Sequence, residues 1–281
     1  MFPNAKPDVY HVLYIVIPTV SIIGNGLIVY VTVRSRALRS PCSILIGLLS
    51  LSDMVLVSSH LIATAFHNIV QEELIPLSTC VNLLIFPLFA TCASPLLLLN
   101  IAFDRLLSLM NFYKSLTNSY SRLYLMIHLI PATAFGMIFV GWVLSSKRQE
   151  EDVMCFLATP LQGQIIQVFV KFAMAICALT MSCYACFLFF LRRIRLSSEK
   201  VKSIYRSLFV ISLTVVLGYF STSFILFATA ALHLNIEMFY LNQFAGLFVN
   251  LATSVNFFVC YAIRSYRVSQ DLRRPSRDWS T

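Results

Sequence analysis

STCVNLLIFPLFATCASPLLLLNIAFD, residues 78–104, carries no charge until its closing aspartate and runs straight into Arg105. At 1.5 Å of rise per residue such a run makes a helix of about 40 Å, longer than the roughly 30 Å of a hydrocarbon core. Six further runs of the same character lie at 10–33, 43–66, 123–145, 164–191, 205–231 and 239–262. Backbone groups in lipid must be satisfied within the spanning segment, and no ten-residue alternation points to a barrel. The expected fold is therefore an all-α, seven-transmembrane helix bundle filling residues 1–281 as a single domain. An odd number of crossings puts the two termini on opposite sides.

Positive charge sets the orientation. Of 21 Lys and Arg, 17 fall on one side of the predicted membrane: Arg34 to Arg39, Arg105 to Arg122, Arg192 to Arg206, and Arg264 to Arg277. Lys6, Lys147 and Arg148 lie on the other side, and Lys171 lies inside a span. Short loops rich in Lys and Arg stay in the cytoplasm, which places the N-terminus outside. The first apolar run follows no basic segment and is too long for a cleaved signal, so it is expected to remain as an anchor.

With 58% hydrophobic and 12% charged residues, the chain has no room for a separate soluble enzyme or nucleic-acid module. Its net charge of +9 follows from topology and suits anionic lipid on the cytoplasmic leaflet, so membrane lipid is an expected partner and nucleic acid is not. Nothing resembles a nucleophile, a metal motif or a phosphate loop, and neither enzyme activity nor a cofactor is expected. Of eight cysteines, Cys80 and Cys155 fall on the outer side, where an oxidising exterior favours a disulfide between them. Cys92, Cys177 and Cys183 read as small buried hydrophobes. Cys42, Cys186 and Cys260 lie near the inner boundary, where packing or reversible palmitoylation are the alternatives.

Ionisable residues inside spans are costly and call for a role. Asp53, in Leu49-Ser50-Leu51-Ser52-Asp53, is expected to face the bundle interior, either as a hydrogen-bonded structural acid or as an ion- or proton-linked switch. Asp104 and Arg105 can pair locally, and Arg105 can reach carbonyls or a partner protein. Lys171, in the outer half of span five, either reaches the outer headgroups or receives an anionic ligand group. His60 and His128 lack a second ligand at zinc spacing and read as core residues. Pro18, Pro87, Pro95 and Pro131 each remove a helix hydrogen bond within a span.

Gly24-Asn25, the run ending at Asp53, Cys80 and Asp104-Arg105-Leu106 together resemble a rhodopsin-like (class A) G-protein-coupled receptor. The intervals fit that family: 28 residues from Asn25 to Asp53, 52 from Asp53 to Arg105, and 25 from Cys80 to Arg105. The later spans depart from it. The Asn-Pro-x-x-Tyr signature reads Asn256-Phe257-Phe258-Val259-Cys260, and the span-six switch reads Gly218-Tyr219-Phe220-Ser221-Thr222. These departures resemble the nematode serpentine chemoreceptors, most closely their Srsx class.

The resemblance implies roles residue by residue. Asp104, Arg105 and Tyr184 would serve coupling to a heterotrimeric G protein. Asn25, Asp53, Ser94, Tyr219 and Asn256 would form the activation switch. Asp53, Ser94 and Asn256 match an interior sodium pocket, one of whose usual ligand positions reads Ala252. Lys171 and Tyr219 are candidate ligand contacts, and Arg264 to Arg267 would begin a short amphipathic helix along the inner surface. Pro87 stands where an amine-binding Asp would, and Asn250 where a retinal-bearing Lys would, which argues against monoamines and opsin photochemistry. The implied protein is a chemosensory receptor in the plasma membrane, or in the ciliary membrane of a sensory neuron, activated by an extracellular small molecule or peptide. Competing expectations are a small transporter or channel, for which one interior Asp and one Lys are a thin supply, and a receptor-like protein that no longer signals.

Overall fold

In the computed structural model, residues 7–34, 40–70, 74–110, 112–146, 151–161, 163–193, 213–214, 216–229, 232, 241 and 244–254 are described. Asn256, Cys260, the basic segment 194–206 and the expected helix after the last span lie outside the described residues.

The elements run α1 (Pro7–Arg34), α2 (Pro41–Val70), β1 (Ile75–Pro76), α3 (Leu77–Leu107), α4 (Tyr113–Ser119), α5 (Ser121–Ser145), β2 (Asp152–Val153) and α6 (Gln164–Arg193). Two shorter apolar helices follow, α7 (Val216–Thr229) and α8 (Phe244–Ser254). Within α1, α2, α3, α5 and α6 lie five stretches long and apolar enough to cross a membrane. These five coincide with the first five predicted spans, and α7 and α8 fall inside the last two. The order is that of a seven-span bundle, with no regular structure besides helix among the described residues except the β1–β2 pair.

Local chemistry sets several ends. Ser40 starts α2: its Oγ accepts the Ser43 backbone N–H at 3.3 Å, and Pro41 takes the first helical position, where its missing N–H costs nothing. α3 closes when the Ser108 N–H bonds the Asp104 carbonyl at 2.9 Å. Pro18, Pro87, Pro95 and Pro131 all sit inside helices, as expected.

α3 is the axis of the bundle, packed against α2, α5 and α6. α5 and α6 meet through aromatic rings, Phe135 stacking on Phe172 with centroids 3.9 Å apart and Phe139 meeting Phe169 edge-on at 5.7 Å, and α5 lies close against α3. Gly136 is required there, since a Cβ would lie 2.7 Å from the Phe89 ring. Gly218 serves the same purpose between α7 and α8, where a Cβ would stand 2.5 Å from that of Ala252. Ile23, Tyr30 and Val33 on α1 and Met137 and Ile138 on α5 point outward, where lipid takes the place of protein neighbours.

Candidate functional site

Three polar layers are strung along α3. At its first turn Cys80 is bonded to Cys155, with the two Cα atoms 5.5 Å apart, so the expected disulfide is present. The segment before Cys155 is fastened as well. β2 lies antiparallel on β1 with Ile75 opposite Val153, and the Leu77 N–H bonds the Glu151 carbonyl at 3.0 Å. Ile75, Cys80 and Leu84 pack with Ile62 and Phe66 of α2 beside this strand pair. The loop is thereby pinned over the α2–α3 end of the bundle.

The middle layer is built on Asp53, which is fully buried. Ser94 Oγ donates to Asp53 Oδ1 at 3.5 Å, and Ser52 Oγ is 2.8 Å from Ser94 Oγ. Asn25 ties α1 to α8, its Nδ2 donating to the carbonyls of Ser21 at 3.0 Å and Thr253 at 3.4 Å. Its Oδ1 is buried with no hydrogen-bond partner among the described residues. Tyr219 on α7 is 4% exposed, and its hydroxyl lies beside Ser94, which it meets as a hydrogen-bond neighbour, within electrostatic reach of Asp53. Toward the outer side, Asn250 Nδ2 lies 2.8 Å from His60 Nε2, joining α8 to α2.

This layer brings Asp53, Ser94 and Tyr219 together across α2, α3 and α7, while Asn25 joins α1 to α8. A carboxylate and several hydroxyls are hard oxygen donors of the kind a small cation such as sodium takes. The Tyr219 hydroxyl beside Ser94 adds a further oxygen to this set, and the buried Ala252 brings none.

At the inner end Asp104 is also fully buried. Its Oδ1 accepts from Tyr113 Oη at 2.8 Å and Tyr124 Oη at 2.9 Å, and its Oδ2 lies 2.9 Å from Arg105 Nη2. The local pairing of Asp104 with Arg105 is as expected. The two rings meet edge-on at 6.1 Å, and Tyr124 packs against His128 at 4.4 Å. Asn100 Nδ2 bonds the His128 carbonyl at 2.5 Å, securing α5 to α3 one turn higher. Tyr113 begins α4, so the carboxylate holds the loop helix, α5 and Arg105 together. Tyr184 is buried beside Leu99 and Ala102 of α3.

Lys171 stands apart. Ile165, Ala173, Ile176, Thr180, Cys183 and Phe187 form the buried stripe of α6. At 100° per residue Lys171 is opposite that stripe, and it is exposed. Of the two roles open to it, reaching headgroups fits this face and receiving a ligand inside the bundle does not. Cys92, Cys177 and Cys183 are buried as expected, Cys42 is buried, and Cys186 is exposed.

The tyrosines around Asp104 and the His60–Asn250 pair escape a reading of the sequence alone. Tyr113 lies in a short polar connection with no periodicity to mark a helix, and Tyr124 is one aromatic among many on an apolar span. Asn250 and His60 are 190 residues apart, and only the packing of α8 on α2 joins them.

The sequence matches the family described as serpentine type 7TM GPCR chemoreceptor Srsx over residues 18–271. It is also similar to the compound eye opsins BCRH2 and BCRH1 of Hemigrapsus sanguineus, each 39% identical over 62 residues. That stretch is 21% of this chain and spans 16% of each opsin's length.

Proposed function

Since the chain belongs to the serpentine type 7TM GPCR chemoreceptor family Srsx, we propose that it converts binding of an extracellular chemical into activation of a heterotrimeric G protein at the plasma or ciliary membrane. The N-terminus and the Cys80–Cys155 loop face outward in this scheme, and Arg105 faces the cytoplasm. A ligand entering between the outer halves of the helices shifts the population only if it binds the active arrangement more tightly. Asp53, Asn25, Ser94, Asn256 and Tyr219 transmit the shift through the middle layer. Arg105, released from Asp104 and supported by Tyr184, then meets the G protein. Asp53 and Ser94, with Tyr219 beside them, are the residues that would hold a sodium ion. Such an ion, when bound, supplies a positive charge that neutralises Asp53 and stiffens the resting state.

The observation that carries this reading is the closed cluster of Asp104, Arg105, Tyr113 and Tyr124. It sits at the opposite end of α3 from the disulfide, about 38 Å away along the helix. Such a cluster gives a two-state latch on the cytoplasmic side, and linkage requires that an engaged G protein tighten agonist binding in turn.

The test is expression in reporter cells with a promiscuous G protein, screened against volatile, small-acid and peptide libraries. Arg105→Ala is expected to abolish nucleotide exchange at unchanged surface level. Exchange that survives the substitution overturns the mechanism.

A further inference from the structure

The last turns of α6 carry two thiols on one side of the helix. Cys183 and Cys186 stand at i and i+3, a spacing that sets their Cβ atoms about 5–6 Å apart. Neither is in a disulfide, and the two lie within electrostatic reach of each other. Their surroundings differ. Cys183 is buried in one cluster with Leu99 and Ala102 of α3, whereas Cys186 is exposed.

Depth in the bilayer separates them further. The apolar stretch of α6, Gln164 to Phe190, has 27 residues. Such a stretch is about 40 Å long, so it covers a core of roughly 30 Å and leaves about 5 Å at each end among the headgroups. Cys186 precedes Phe190 by one turn, about 6 Å, which puts its sulfur at the edge of the hydrocarbon. A water-borne reagent reaches it there. Cys183 lies one turn deeper, shielded by α3. An accessible thiol that is oxidised first, beside a second thiol that resolves it, is the arrangement of a reversible oxidation site.

We propose that Cys183 and Cys186 are such a site for hydrogen peroxide, resting on the receptor reading above, in which this end of α6 faces the cytoplasm. The Cys186 thiolate attacks peroxide: an S–O bond forms, the O–O bond breaks, and hydroxide leaves. The Cys183 thiol then attacks the sulfenic sulfur, forming the disulfide and breaking the S–O bond, and its proton leaves with that oxygen as water. The two sulfurs lose two electrons and the peroxide gains them. Cytosolic thiols such as glutathione keep the pair reduced at rest and restore it by exchange.

The disulfide has a structural consequence. It requires Cβ atoms about 3.5–4.5 Å apart, so closure draws the turn in by about 1–2 Å. Tyr184 lies within that turn and packs beside Leu99 and Ala102, and it moves with the turn. Its support for Arg105 is withdrawn and coupling falls.

The experiment uses the full chain in nanodiscs, treated with hydrogen peroxide, alkylated with N-ethylmaleimide and mapped by mass spectrometry. Cys183 and Cys186 are expected to escape alkylation together, in a peptide lighter by two hydrogens. In Cys183→Ala a sulfenic acid should persist on Cys186 and be trapped by dimedone. In Cys186→Ala the Cys183 thiol should stay free. Nucleotide exchange on an added G protein should fall about fivefold on oxidation, the low end of an allosteric coupling, and return with dithiothreitol. Cys186→Ala should exchange normally and ignore peroxide.

Thiols that both remain alkylated after peroxide, or dimedone on Cys183 in place of Cys186, overturn the proposal and leave the receptor reading intact. So does a mapped disulfide that leaves measurable exchange unchanged. A protein that forms the disulfide but drives no exchange in either state, with any library compound, sinks the receptor reading and leaves the oxidation site standing.

Discussion

At the inner end of α3, Asp104 accepts two tyrosine hydroxyls at 2.8 and 2.9 Å and faces Arg105 at 2.9 Å, whereas in the middle of the bundle Asp53 receives the Ser94 hydroxyl at 3.5 Å. Both carboxylates are fully enclosed. Burial alone therefore does not distinguish them; the Ser94 bond to Asp53 and the two tyrosine bonds to Asp104 differ in length, and Asp53 has further interactions besides. Charge-assisted bonds near 2.8 Å are strong and directional, and a contact of 3.5 Å sits at the edge of what a hydrogen bond is. The inner layer is built to stay shut until something prises it open. A buried oxygen without a hydrogen-bond partner among the described residues occurs in both layers, Asn25 Oδ1 in the middle and Asp104 Oδ2 at the inner end, so the contrast rests on the long Ser94–Asp53 bond, which costs less to break.

The harshest way to break that contrast is Asp104→Ala. It strands two tyrosine hydroxyls and a guanidinium in a closed space, and losing one partner of a buried ion pair costs about 3–5 kcal/mol. Thermal unfolding in detergent should show the largest loss of the set, and little of the protein should reach the cell surface. Asp104→Asn keeps an acceptor for the tyrosines and removes the charge facing Arg105. It is expected to fold, and basal nucleotide exchange should rise several-fold above that of the unaltered receptor.

Tyr124→Phe sharpens the comparison, because only one oxygen is removed. That bond crosses from α5 to α3 and ends on a carboxylate, so about 1.5 kcal/mol is expected, near the upper end for interhelical bonds in membranes. Tyr113→Phe should loosen α4 without moving α5. Hydrogen exchange in residues 113–119 should then quicken while that of 124–140 stays as it was. Equal quickening in both would mean that the two tyrosines do not hold separate elements.

Much of this organisation was legible in the residues. The five long spans emerge from length and hydropathy because a bilayer imposes one helix length on any chain that crosses it. The disulfide emerges because two cysteines alone fall on the outer side. Asp53 and Asp104 stand out because charge is rare in these helices, and their register with Asn25, Cys80 and Arg105 carries the family. The partners were not legible. Tyr113 belongs to a loop, and only the fold brings its hydroxyl to Asp104 at the end of α3. His60 meets Asn250 only because α8 packs on α2. The direction of Lys171 turns on the phase of α6, and because that helix is the most amphipathic of the five long ones, its buried stripe was there to be read.

The finest test is Ser94→Ala, aimed at the weakly held side of the contrast. The Ser94 hydroxyl sits 3.5 Å from Asp53 and 2.8 Å from Ser52, and Ser52 Oγ also reaches the Ala90 carbonyl at 3.3 Å. Deleting it leaves Ser52 with that carbonyl and costs Asp53 its long bond and Tyr219 its neighbouring hydroxyl. Interhelical bonds of this kind average about 0.6 kcal/mol in membrane proteins, so the fall in unfolding temperature should be less than half that of Tyr124→Phe. The comparison turns on this ratio. Should the two substitutions prove equally damaging, Asp53 is held as firmly as Asp104, and the middle of the bundle is a second lock rather than the part that yields to ligand.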